Sequence, residues 1–137
     1  MPTANQLIKI SRKKKWKYSR SFKAFKGAPQ RRGIIYQITV ITPRKPNSAK
    51  RKVAKVRLCF NNKRIFTKIP GQGHSLYEHA LVMVRGGGAK DTPGVNFTLI
   101  RGKLDFDTVE HIVRKRRRSK YGLSTKKISK ITLDSRW

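Results

Sequence analysis

Gly33-Ile34-Ile35-Tyr36-Gln37-Ile38-Thr39-Val40-Ile41 is a β-branched run with a period of two, the signature of a strand. Its alternation predicts Ile34, Tyr36, Ile38 and Val40 on a strongly apolar face, opposite Ile35, Gln37, Thr39 and Ile41. Similar runs follow it. Ala54, Val56, Leu58 and Phe60 alternate with Lys55, Arg57 and Cys59, giving one buried and one basic face, with Cys59 read as a small packing residue. Asn61-Asn62 supplies a tight turn into Lys63–Ile69, where Ile65, Thr67 and Ile69 share a side. Leu81-Val82-Met83-Val84 is apolar on both faces and therefore central, and Val95, Phe97 and Leu99 face inward on a last strand, 95–101. Five short strands predict an all-β domain over 33–104, a small antiparallel barrel. The periodicity fits an SH3-like barrel nearly as well as the five-stranded OB-type Greek key, the best-known nucleic-acid binder of this size.

Between the first two strands lies Thr42-Pro43-Arg44-Lys45-Pro46-Asn47-Ser48-Ala49-Lys50-Arg51-Lys52. Its prolines fix φ and remove two backbone donors, which stiffens the loop. Arg44, Lys45, Lys50, Arg51 and Lys52 carry charge on both sides of an apex formed by Asn47 and Ser48. Cations that anchor beside short polar groups suit phosphate binding combined with contact to a sugar or base edge. A basic but otherwise ordinary Pro-Asn-Ser turn is the alternative for this loop taken alone.

The wider composition favours the first reading. Thirty-five Lys and Arg against six Asp and Glu give a net charge of +29, and no acid precedes Glu78. A surface so unbalanced needs a polyanion, and nucleic acid fits better than an anionic membrane. Residues 1–32 form a basic extension in which Lys13, Lys14, Lys15, Arg31 and Arg32 are mixed with Trp16, Tyr18, Phe22 and Phe25. Its apolar positions keep neither period, so it is expected to order only against a partner, with aromatics free to stack on bases. Residues 105–137 form a basic C-terminal tail. It contains a candidate helical turn at 108–113 and the cluster Arg114, Lys115, Arg116, Arg117, Arg118 and Lys120.

No apolar run is long enough to span a bilayer, the N-terminus lacks a secretory signal, and a single cysteine cannot form an internal disulfide. Gly86-Gly87-Gly88-Ala89-Lys90 lacks the Ser or Thr of a phosphate-hydrolysing loop, and reads as a turn that admits close backbone approach. His74, Glu78, His79 and His111 match no metal-ligand spacing. The six acids form no recognisable acid–base pair. No enzyme, metal or cofactor is expected.

Several strings occur together in one order: Asn5-Gln6-Leu7-Ile8, Pro29-Gln30-Arg31-Arg32-Gly33, Thr42 to Ala49, Gly73-His74, Glu78-His79, Val84-Arg85-Gly86-Gly87, Lys90-Asp91, Pro93-Gly94-Val95 and Arg118-Ser119-Lys120-Tyr121-Gly122. Together they resemble the family of small-subunit ribosomal protein twelve, bacterial and organellar type. The resemblance implies an OB barrel at the decoding centre whose N-terminal extension threads into small-subunit rRNA. It implies that Arg44, Lys45, Pro46, Asn47 and Ser48 face the mRNA–tRNA minihelix at the A site, with Lys45 where streptomycin binds. Lys90, Asp91, Pro93 and Gly94 would form a second accuracy loop, and His79 would face elongation factors that bind transiently. Lys13, Lys14, Lys15, Arg31, Arg32, Lys50, Arg51, Lys52, Arg114, Arg116, Arg117, Arg118 and Lys120 would hold rRNA. Neighbouring ribosomal proteins are implied partners; a membrane and a homo-oligomer are not.

The chain departs from the family at Ala28, Lys50 and Thr92, where bacterial and plastid members usually have Cys, Leu and Leu, and in its extension from Leu123 to Trp137. Its Ile- and Lys-rich drift, with a start that aligns without an added presequence, points to a mitochondrial member; a bacterium or a plastid is the alternative. A free-standing OB-type RNA binder or RNA chaperone is the alternative function, and a membrane-active cationic protein would need an amphipathic helix that the sequence lacks.

Overall fold

The structure, a computed structural model, describes residues 3–10, 20–108 and 114–123. Five strands make up the domain: β1 (Gln30–Ile41), β2 (Arg51–Leu58), β3 (Arg64–Lys68), β4 (Leu81–Gly86) and β5 (Phe97–Leu99). They close in the order β1-β2-β3-β5-β4, with β4 returning to β1. The barrel is of the OB type. It departs from the all-antiparallel expectation at one place, because β3 and β5 run parallel. Closure depends on the length of β1. Gly33–Ile41 pairs with β2, while Gln30–Ile34 pairs with β4, so one strand serves two neighbours. At the overlap β1 and β2 come close: a Cβ on Gly33 would lie 2.5 Å from Val56 Cγ1, so only glycine fits without displacement.

The inward faces supply the core. Ile35, Ala54, Val56, Leu58, Val82 and Val84 are fully buried, with Ile65, Phe97 and Leu99 beside them. Thr67 is buried too, and its hydroxyl donates to the Ala54 carbonyl at 2.9 Å, which satisfies it without water.

The expected face of β1 is corrected. Gly33 and Ile35 point inward, a register shift falls between Ile35 and Gln37, and beyond it Ile38 packs against the core. Tyr36 and Val40, expected on the apolar face, are exposed. One extra residue in a strand flips every later side chain. Cys59 and Phe60 also differ from expectation, because β2 ends at Leu58 and the turn carries both into solvent.

Among the described residues, two short helices precede the barrel. The first, α1 (Ala4–Lys9), starts with a capping box: Thr3 Oγ1 accepts from the Gln6 amide and Gln6 Oε1 accepts from the Thr3 amide. The second, α2 (Arg20–Phe25), buries Ala24 and Phe25 in the core, where the rings of Phe25 and Phe97 lie 5.3 Å apart. Asn61 Nδ2 donates to the Ala24 carbonyl at 2.9 Å and Arg31 Nε to the Phe25 carbonyl at 3.3 Å, fixing α2 against the β2–β3 turn and β1. Residues 20–29 thus pack as part of the folded unit, and Phe25 is a core residue instead of a base-stacking one. Lys13, Lys14, Lys15, Trp16 and Tyr18, and all but the first residue of the expected turn at 108–113, lie outside the described residues. No helix among the described residues is long and apolar enough to cross a membrane.

Candidate nucleic-acid interface

Two loops leave the same region of the barrel, one joining β1 to β2 and the other β4 to β5. In the first, Pro43 is buried and residues 44–50 are exposed, so Arg44, Lys45, Pro46, Asn47 and Ser48 form a projecting tip. The Asn47 amide donates to the Arg44 carbonyl at 3.1 Å, closing a four-residue turn. The Lys45–Pro46 peptide is cis, as in turns that carry proline at their third position.

The second loop holds the first in place through one residue. The Arg44 amide donates to the Asp91 carbonyl at 2.8 Å. Arg51 Nε donates to Asp91 Oδ2 at 3.0 Å, with side chains 34% and 17% exposed, respectively. Asp91 therefore binds the first loop on both sides of its tip, by backbone at Arg44 and by carboxylate at Arg51. The Arg51 guanidinium beside it holds its carboxyl below the usual 3.8 despite partial desolvation, with Lys68 adding to the field. Around it, Lys90, Pro93 and Gly94 are exposed, whereas Thr92 is buried, its hydroxyl unpaired among the described residues.

A lowered carboxylate pKa means that the folded state binds the anionic form more tightly than the unfolded chain does. The latch contributes fully above the unfolded value of 3.8 and is lost as pH falls through the lower folded value. Asp91→Asn removes the charge and keeps the shape. The Arg44 amide should then exchange with solvent faster at pH 7, while in the parent its protection holds down to about pH 4, below which the carboxylate begins to protonate. Hydrogen exchange resolved at Arg44 checks both. Unchanged protection in the variant would mean that the carboxylate does not hold the loop.

The remaining predicted residues divide into groups. Lys50 and Lys52 are exposed on either side of Arg51, and Lys120 is exposed in the 3-10 turn Ser119–Tyr121. Arg51, expected to hold rRNA, spends its Nε on Asp91. Arg31 lies over the exposed Phe60 ring at 4.3 Å, where Lys26 also approaches at 5.2 Å, and Arg32 is exposed on β1. Arg114 stacks on Tyr121 at 3.8 Å, Arg116 and Arg117 are exposed, and Arg118 is half-buried. His79 is exposed at a positive φ of 70°, its amide bonded to the Ile35 carbonyl. No group of three metal-binding side chains occurs among the described residues.

Arg101 is the residue that sequence reading missed. It is 6% exposed, and its guanidinium donates to the Pro70 carbonyl at 2.9 Å and the Gly73 carbonyl at 2.5 Å. A charged residue at the end of an apolar strand gave no sign of burial. The nearest signal was the Pro70-Gly71-Gln72-Gly73 turn, whose carbonyls need a donor.

An OB-type barrel projecting two linked loops above a concentration of cations is an architecture of nucleic-acid-binding proteins. The chain belongs to the family described as Ribosomal protein S12/S23, whose model matches residues 17–129. It is 50% identical over 127 residues to the "Small ribosomal subunit protein uS12m" of Acanthamoeba castellanii, covering 93% of this chain and 98% of that one. It is a structural ribosomal protein, not an enzyme, and associates with rRNA and other ribosomal proteins.

Proposed function

We propose that this chain, as a constituent of the small subunit of the mitochondrial ribosome, helps to set the accuracy of tRNA selection at the decoding centre. Arg44, Lys45, Pro46, Asn47 and Ser48 meet the mRNA–tRNA minihelix at the A site. Lys90, Asp91, Pro93 and Gly94 form the second accuracy loop, Lys45 lies at the streptomycin site, and His79 faces elongation factors. The basic residues of the extension and the tail hold rRNA, where phosphate neutralisation dominates affinity. The observation that carries this reading is the double attachment of Asp91 to the first loop, which gives an exposed polar tip a fixed position. Discrimination between cognate and near-cognate pairing needs such a contact held in place beforehand, since a tip free to follow either geometry would not distinguish them.

Lys45→Ala tests the proposal. Lys45 is exposed and outside the core, so subunits should assemble at normal yield. Near-cognate misreading should shift several-fold, and so should the response to streptomycin. Error frequency is measured with a reporter translated by purified particles; a rate within experimental error of the parent counts against the decoding role.

A further inference from the structure

Beside the latch the barrel has an open cleft of about 550 Å³, within the size range of ligand sites. Cations enter it from four separate parts of the chain. Lys50 and Lys52 come from the stem of the first loop and β2, Lys68 from the end of β3, Arg85 from β4, and Arg114 and Lys120 from the C-terminal segment. Arg51 lines it as well, and none of its described lining residues is acidic. The nearby carboxylate, Asp91, is engaged by Arg51. Glycines 71, 73 and 88 form part of the wall, leaving room for close approach to the backbone.

We infer that this cleft is a phosphate-clustering site: it takes a sharply turned stretch of RNA backbone whose successive phosphates converge. Cations of one sign gathered this closely repel one another and need a concentrated counter-charge. An extended strand would run along a single row of cations, whereas four converging elements suit phosphates brought together by a turn. The lining also argues against bases as the occupant. Of its two aromatic rings, Tyr121 already carries the Arg114 guanidinium at 3.8 Å and His74 is half-buried with both ring nitrogens enclosed, so neither offers an exposed platform for stacking. Lys50 and Lys52 flank Arg51, so an occupied cleft would steady the stem of the loop whose tip Asp91 orients. The inference rests on rRNA being the partner, and it adds the part of the molecule that grips a folded backbone and the role of residues 114–123 in completing that grip.

Binding of sodium tripolyphosphate to the full chain, followed by calorimetry at fixed ionic strength, tests the site without codon or tRNA. The parent should bind one equivalent. Lys68→Gln combined with Arg85→Gln should weaken binding at least tenfold. Lys63→Gln combined with Lys103→Gln removes equal charge from exposed positions outside the cleft and should change it less than twofold. Thermal melting establishes that each variant is folded. Should the first pair fail to fold, Lys52→Gln with Lys120→Gln carries the same tenfold expectation. Equal losses in cleft and control pairs, or several weak equivalents in the parent, would show only diffuse attraction and overturn the inference. Neither result bears on the Lys45 error measurement, so the two proposals fail separately.

Discussion

Replacing Phe25 with alanine should cost about 3–5 kcal/mol of stability, the usual range for emptying a buried aromatic site. Phe25 is 2% exposed, belongs to the core cluster and tilts against Phe97. Its neighbourhood cannot collapse easily, because α2 is tied at both of its last two carbonyls, to Asn61 and to Arg31. A cavity that stays open keeps the full penalty. For a chain of this length the loss corresponds to a fall in Tm of roughly 10–20 °C. Urea unfolding and thermal melting of the isolated chain measure it. Phe22 is the control: on the same helix, it is 46% exposed, and its alanine variant should lose less than about 1 kcal/mol. Similar losses at the two positions would mean that Phe25 does not plug the barrel and that residues 20–29 belong functionally with the extension.

That contrast shows how far the sequence could be read. Five strands and the loops between them are visible because alternation persists wherever one face is apolar and the other is not. In β1 the neighbours Ile34 and Ile35 place apolar side chains on both faces, so periodicity alone cannot choose between them, and the bulge at Tyr36 then reverses the choice. Phe25 carried no signal of burial because it lies among lysines, and a six-residue helix is too short to display a stripe. For α1, by contrast, Thr3 and Gln6 stand at the spacing of a capping box, a signal that the sequence does carry.

At the site, residue types were legible and partnerships were not. Pro46, Asn47 and Ser48 were expected at an exposed tip and are found there. Arg51 looked like another phosphate anchor, because charge in a sequence carries no record of its counter-ion. Its partner lies forty residues away, and only the barrel's topology brings the two together. The fold thus converts one acid of the basic domain into the joint between two loops. It leaves Lys50 and Lys52 on either side of that joint free to face a polyanion.

Arg101→Ala should be the second large loss, about 3 kcal/mol. A guanidinium at 6% exposure has given up most of its hydration, which is tolerable only if its hydrogens find acceptors. Here they are the Pro70 and Gly73 carbonyls, and the Phe106 ring lies under the cation at 4.5 Å. Removing the side chain strips a charged donor from two carbonyls and uncovers the aromatic ring. Hydrogen bonds to a charged group contribute roughly 1.5–3 kcal/mol each, and they do not add fully when they share a donor. Arg101→Lys separates charge from geometry, since an ammonium keeps the cation but lacks the planar fork that reaches both acceptors, and should recover less than half of the loss. The damage should also be local first. Pro70, Gly71 and Gly73 line the cationic cleft and follow Ile69, whose amide donates to the Lys52 carbonyl at 3.3 Å, so in Arg101→Ala the Ile69 amide should lose exchange protection before the amides of the barrel strands do. Urea unfolding gives the first quantity and residue-resolved hydrogen exchange the second. A lysine variant as stable as the parent would mean that the positive charge alone, and not the two-carbonyl bridge, holds this turn against the barrel.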